Sequence, residues 1–482
     1  MATDNLKQQT KRGLYWKFGE QFAKYGMQFI IGILMARMLT PTDYGITALP
    51  GVFLAIAGIF ASAGFGTAMV RKPELTEEDL STSFYYSTIA GILIYILLFF
   101  TAPWIADFYT TPVLVPLIRV TALGFIFGPM ATPQSIILQR RLDFKTQTKV
   151  GVTCKLAAGV IGIVMAYFGY GLWSLVAAGM GSSLLGLLMT WYVVRWVPKT
   201  GWSKESFKYL WGFGNKFIAS QLLDTTYNNI APVVIGKFYS PAQLGIFNRA
   251  FSYASMPSEH LTGVLGAVTF PVLSKMQDDE ERLANSYRRI LRVTAFIIFP
   301  LMMLLSALAH PFIILLVTAK WEACIILLQI ICFNLMWYPI HSINLNLLLV
   351  KGRSDLFLKL EVIKKIIGVI ILVATLPFGL IIYCIGGVVF SIICLIVNTH
   401  YSQKLINFGF WKQMNDLKYT ILLSLVMYGV CFGLTQVIPN LWLQLLGGGI
   451  IGALVYLGGA YLLHMDELKD VKYLISRKNN EQ

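Results

Sequence analysis

Lysine and arginine fall in every second gap between the apolar segments of this chain, and that alternation constrains its fold more than any other feature. Fourteen apolar segments are expected, at about 14–38, 44–70, 81–104, 114–138, 149–168, 171–194, 208–236, 243–274, 288–309, 322–350, 357–377, 379–401, 419–437 and 441–464. One set of gaps carries Arg71 and Lys72, then Arg140, Arg141 and Lys145, and so on through Arg288, Arg289, Arg292, Lys351 and Arg353 to Lys469. The other set carries only Lys237 and Lys320. Short basic loops are held on the cytoplasmic side during insertion. The pattern therefore predicts both termini inside and small outer loops.

Composition agrees. Of 482 residues, 56% are hydrophobic and 13% charged, too little polar surface for a soluble chain of this length. Runs of about 20 apolar residues each suffice to cross a bilayer core. The net charge of +15 is explained by topology and anionic lipid, so no nucleic-acid partner is implied. Six cysteines lack metal or redox spacing and read as small apolar packing residues. The polar start predicts no cleavable signal peptide.

An internal repeat is visible. LMARMLTPTDYGI at 34–46 matches VIGKFYSPAQLGI at 234–246, pairing Pro41 with Pro241 and Gly45 with Gly245. Upstream, Phe18-Gly19-Glu20 pairs with Phe213-Gly214-Asn215. A weaker match sets Arg141-Leu142-Asp143 against Arg353-Ser354-Asp355. The copies start at spans one and seven, an even number of crossings apart, which makes the repeat parallel. The expected architecture is all-α and integral to the membrane, with about 14 transmembrane helices. Two pseudo-symmetric six-helix bundles, residues 1–200 and 201–405, precede two further helices and a cytoplasmic tail, residues 406–482.

Charges inside spans are costly and mark water-facing or paired positions. Span one carries Lys17, Glu20, Gln21, Lys24 and Gln28 on one stripe; span seven carries Lys216, Ser220, Asp224 and Asn228 at steps of four. Facing each other, the stripes would line a wet cleft. For Lys17 snorkelling is an equal alternative, and for Asp224 the alternative is a buried ion pair. Arg249, Glu259, His260, His341, Asn334, Glu361, Lys364 and Lys365 add polar groups to spans eight, ten and eleven. Arg37 and Arg119 are expected to snorkel at outer ends, as is Lys364 or Lys365 at the inner face. No GxSxG, Walker A, HExxH or nucleotide loop is present. No enzyme, no cofactor and no metal site are expected.

Residues ARMLTPTDYGI, GFGTAMVRKPEL (64–75), ILQRRLDFK (137–145) and LLLVKGRSDLF (347–357) resemble the polysaccharide transporter family, the Wzx-type flippases of the multidrug/oligosaccharidyl-lipid/polysaccharide flippase superfamily. The resemblance covers nearly the whole chain. It implies a multi-pass protein of the bacterial inner membrane that moves a polyprenyl-pyrophosphate-linked oligosaccharide outward by alternating access, driven by an ion gradient; H⁺, Na⁺ and the membrane potential are the candidate drivers, and polymerase or export machinery is a candidate partner. On the polarity argument, Lys24, Lys216 and Arg249 are the pyrophosphate candidates. Gln221, Tyr227, Asn228 and Asn229 are the sugar candidates, and Asp224 and Glu20 serve ion coupling or charge balance. The alternatives are a drug/cation antiporter of the same superfamily and a membrane polysaccharide polymerase or ligase.

Overall fold

The computed structural model describes residues 25–476, and every regular element among them is helical. The chain divides into two compact units, Met1–Gly245 and Ile246–Gln482. The first contains α1 (Tyr25–Met38), α2 (Pro41–Ala48), α3 (Gly51–Ser62), α4 (Phe65–Arg71), α5 (Glu77–Phe108), α6 (Leu114–Thr121), α7 (Gly124–Met130), α8 (Thr132–Arg140), α9 (Phe144–Tyr167), α10 (Trp173–Val194) and α11 (Lys204–Phe238). The division falls inside α12 (Pro241–Ser274). The second unit continues with α13 (Glu280–Ala307), α14 (Ala309–Leu316), α15 (Cys324–Leu335), α16 (Tyr338–Val350), α17 (Ser354–Thr375), α18 (Leu380–Ile406), α19 (Phe410–Val437), α20 (Gly448–Leu462) and α21 (Asp466–Ser476).

Ten helical stretches among the described residues are long and apolar enough to cross a membrane. They coincide with ten of the fourteen expected spans. The other four correspond to α1, α11, α12 and α17. Three of these are helices of 35, 34 and 22 residues, so length does not disqualify them. What they carry is polar side chains, which a helix tolerates in a bilayer only where those groups face water or protein.

Helix starts follow local chemistry. Thr76 caps α5: its hydroxyl accepts from the Asp79 N–H at 3.3 Å, and the Asp79 carboxylate accepts from the Thr76 N–H at 3.0 Å. Asp143, Ser203 and Asp279 cap α9, α11 and α13 in the same way with single bonds. The repeat reappears as backbone geometry. Thr40 and Asp43 form a capping box, and so do Ser240 and Gln243, with N–H to side-chain distances of 2.9 to 3.3 Å. The matched glycines then cross. A Cβ on Gly45 would lie 1.6 Å from the Pro241 carbonyl oxygen, and one on Gly245 would lie 2.0 Å from the Pro41 oxygen. Each glycine is required because the backbone that contacts it cannot move like a side chain.

The weaker match shifts by two residues. Arg141, Leu142 and Asp143 donate to the carbonyls of Ile137, Gln139 and Leu138, while Lys351, Gly352 and Arg353 donate to those of Leu347, Leu349 and Leu348. Leu142 and Gly352 take φ of 56° and 68°. Residues 351–353, not 353–355, are therefore the counterpart of 141–143. The identical Arg-x-Asp spacing concealed a common left-handed helix ending.

Proline within helices organises much of the packing. Each such proline leaves the carbonyl four residues earlier without its helical donor, and inside a bilayer neighbouring helices must supply one. For Pro103 the freed carbonyl is Phe99, which accepts from Arg119 Nε at 3.3 Å. For Pro300 it is Phe296, which accepts from the buried Tyr456 hydroxyl at 2.9 Å. For Pro339, where span 322–350 breaks into α15 and α16, it is Leu335, which accepts from Ser258 Oγ at 2.6 Å. For Pro129 it is Phe125, whose oxygen lies so close to Gly91 that a Cβ there would sit 2.2 Å away. Arg119 was expected to snorkel. Its guanidinium lies 4.0 Å from the Phe99 ring centroid, beside the carbonyl that Pro103 frees.

Candidate functional site

Helix α11 carries most of the expected site. Ser206, Leu210, Gly214 and Ile218 recur every four residues and are buried. They pack on a core with Phe65, Met69 and Leu80. The break between α3 and α4 receives this face: Ala63 and Gly64 both take left-handed φ, and a Cβ on Gly64 would meet Phe217 at 2.5 Å. The stripe Lys216, Ser220, Asp224 and Asn228 lies on the opposite side of the same helix, and all four side chains are exposed. Gln221, Thr225, Tyr227 and Asn229 flank it and are half-buried. The Asn229 amide turns back to the Thr225 carbonyl at 2.8 Å, which occupies one of its donors. This helix thus presents a cation, an anion, hydroxyls and amides together, away from the core of its own unit.

Arg249, on α12 in the second unit, is half-buried. Its guanidinium lies 5.4 Å from the Tyr253 ring centroid and 5.8 Å from that of the fully buried Trp321. At these distances the cation interacts with the faces of two aromatic rings. Lys24 and Glu20, with Lys17, lie outside the described residues, as does the side chain of His260.

The expected polar groups of spans ten and eleven come together in the second unit, with partners that the sequence reading did not single out. His341 Nε2 is 2.9 Å from Ser391 Oγ, and its Nδ1 is 3.3 Å from Asn398 Nδ2. Ser391 in turn donates to the Asn334 carbonyl at 3.4 Å. Lys364 forms an ion pair with Glu361 on the same helix. One turn further on, Asn344 bonds Gln413 and Ser402, and Gln413 reaches the Tyr287 hydroxyl at 3.5 Å. The overlooked signal was a buried polar row on α18, an otherwise strongly apolar helix: Ser391, Asn398 and Ser402 share one face with Cys394.

Many loop basic residues also have structural partners. Lys72 binds the fully buried Asp79 at 2.7 Å, and Arg140 donates to the carbonyls of Met69, Lys72 and Pro73. Arg288 pairs with Asp416, Arg289 with Asp470 and Arg292 with Glu467. Exposed Arg353 holds Asp355 well below the usual carboxylate range, at about 2. Among the described residues no three His, Cys, Asp or Glu side chains converge as a metal site. All six cysteines are buried and free.

Comparison with known proteins places this arrangement. Residues 34–326 match the family model described as polysaccharide biosynthesis protein. The chain is 26% identical over 355 residues to the teichuronic acid biosynthesis protein TuaB of Bacillus subtilis (strain 168), covering 73% of each chain. It is 24% identical over 362 residues to the lipopolysaccharide biosynthesis protein WzxC of Escherichia coli (strain K12), covering 75% of this chain and 74% of that one. Its fold resembles the lipid II flippase MurJ in an inward closed conformation, with a TM-score of 0.72 at 17% identity over 94% of this chain and 99% of that one. The chain is therefore a multi-pass, all-helical membrane protein that belongs to the polysaccharide biosynthesis protein family.

Proposed function

We propose that this protein is a flippase, not an enzyme, that carries a polyprenyl-pyrophosphate-linked oligosaccharide from the cytoplasmic to the outer leaflet by alternating access, driven by an ion gradient. The observation that carries this reading is the mixed polar face of α11, a helix of 35 residues, turned from its own unit's core. A pyrophosphate carries at least two negative charges, and moving it unaided through hydrocarbon is prohibitive. Cationic side chains in a wet passage replace its hydration. Lys24, Lys216 and Arg249 take that role. Gln221, Tyr227, Asn228 and Asn229 contact sugar, and Asp224 with Glu20 balances charge or couples an ion. The polyprenyl tail stays in lipid. Two six-helix bundles, at 1–200 and 201–405, alternate between the two faces of a bacterial inner membrane, with both termini cytoplasmic.

The relatives support the substrate class: one is a teichuronic acid and one a lipopolysaccharide biosynthesis protein, and a solved neighbour is a lipid II flippase. An antiporter of organic cations on the same fold ranks second, because the intramembrane basic residues outnumber Glu20, Asp224, Glu259 and Glu361. Flux of a fluorescent polyprenyl-pyrophosphate oligosaccharide, set against a cationic dye in proteoliposomes, decides between them. Parent protein should move the lipid-linked sugar, and Lys216→Ala and Arg249→Ala should lower that flux at least tenfold while inserting normally. Dye flux without sugar-lipid flux would reverse the ranking.

A further inference from the structure

Lys155 stands at the middle of α9, the apolar span Phe144–Tyr167. At 1.5 Å per residue, either end of the helix is about 17 Å away, further than a lysine side chain reaches by snorkelling. The side chain is nonetheless exposed, and no ion pair holds it among the described residues. A charge at that depth faces water or a ligand.

The direction it faces follows from what its side of the helix touches. Lys155, Gly159 and Gly162 recur at steps of four and three and share one face of α9. A Cβ on Gly159 would lie 2.2 Å from Ile31 Cδ1, and one on Gly162 would lie 3.3 Å from Met35 Cε. That face is therefore turned to α1. One turn on, Ala166 packs with Met35 and Leu39. The contacts advance together along both helices, so α1 and α9 run side by side in the same direction. One turn back from the contact between Gly159 and Ile31, Lys155 comes level with Gln28. Gln28, Ile31 and Met35 likewise share one face of α1. Gly159, Gly162 and Ala166 are buried, whereas Lys155 and Gln28 are exposed. The seam between the two helices is thus sealed by close apolar contact along one half of the span. At the middle it opens, with a cation on one wall and an amide on the other.

The apolar exposed face of α9 is a different one. Leu156, Val160, Val164 and Tyr167 form it, and Lys149 heads it seven residues before Leu156. The offset that carries residues 141–143 onto 351–353 also carries Lys155 onto Lys365, at the middle of α17, and Leu156 and Val160 onto the exposed Ile366 and Ile370. A mid-helix lysine beside an exposed apolar face therefore recurs in the second unit.

We propose that Lys155, with the Gln28 amide, binds the pyrophosphate of the carried lipid at the opening of the seam between α1 and α9. The ammonium supplies charge-assisted hydrogen bonds in place of the water that a phosphate oxygen gives up, and the Gln28 side-chain NH₂ donates beside it. No covalent bond forms or breaks. That the anion belongs to a transported lipid rests on the flippase reading above; that the seam is wet at Lys155 does not.

Two measurements on the full chain test this. In proteoliposomes with a membrane-impermeant maleimide on both sides of the bilayer, Lys155→Cys should label and Val160→Cys, on the apolar face, should not. All six native cysteines are buried, which keeps the background low. A Lys155→Cys protein that stays unlabelled, or labels no faster than Val160→Cys, would overturn the wet opening. In nanodiscs, binding of polyprenyl pyrophosphate without sugar should weaken at least about tenfold in Lys155→Gln, stay near the parent value in Lys155→Arg and be unchanged in Lys149→Gln. Parent-like binding by Lys155→Gln, an equal loss in Lys149→Gln, or a loss seen only with a probe that carries a uronic acid would overturn the pyrophosphate assignment. The expected binding pattern in a protein that moves no lipid-linked sugar would refute the flippase reading and leave the binding site standing.

Discussion

Arg119 and Pro103 sit sixteen residues apart, yet each explains the other. Proline removes the donor for Phe99 and arginine replaces it. Removing Arg119 alone leaves a carbonyl without a donor, at a cost of about 1–3 kcal/mol. The Arg119→Ala variant should therefore melt lower in detergent, and adding Pro103→Ala, which restores the helical N–H, should recover most of the loss. Equal and additive effects would show that the bond contributes nothing. The glycines give a second test. Gly45→Ala and Gly245→Ala force a Cβ onto backbone carbonyls and should each cost at least the 1–3 kcal/mol typical of overpacking. Gly186→Ala meets nothing within 4 Å and should be neutral or slightly stabilising in the same thermal unfolding assay. The matched glycines were legible in the sequence as a repeat. That they cross against each other's proline was not, because nothing in either segment alone records which backbone will lie beside it.

Polar closure joins helices here in addition to side-chain packing, since lipid offers Leu the same surroundings as protein does. Asn344, Gln413, Ser402 and Tyr287 tie α16, α19, α18 and α13 together at one level. Gln413→Leu should destabilise the protein by roughly 1–2 kcal/mol, because it strands the Asn344 groups. The Asn344→Leu/Gln413→Leu pair should cost less than the sum of the two single changes, a coupling that a double-mutant cycle would read directly. Span positions and helix starts were readable because they depend on neighbours in sequence: Thr76, Asp143 and Ser203 each act within one turn. The partners of His341 were not, because Ser391 and Asn398 lie on another helix some 50 residues on, and their only mark was a shared face.

Orientation belongs to the chain as a unit, and it yields a test independent of the site. A reporter fused after residue 482 should fluoresce in the cytoplasm as GFP and remain inactive as alkaline phosphatase; the opposite result would invert the proposed topology. The charge alternation, the apolar segments and the TP/SP repeat are properties of the linear chain, because insertion reads loops and segments in order and capping reads only adjacent residues. They determined an all-helical membrane protein in which the same capped helix start recurs. Tertiary structure decided what periodicity cannot encode: that residues 351–353 correspond to 141–143, that Arg119 closes the carbonyl Pro103 frees, and that α11 turns its polar stripe from its own core. Each depends on which surfaces meet across tens to hundreds of residues, and in a bilayer that choice is made by unsatisfied backbone groups and close backbone approach, neither of which leaves a period in the sequence.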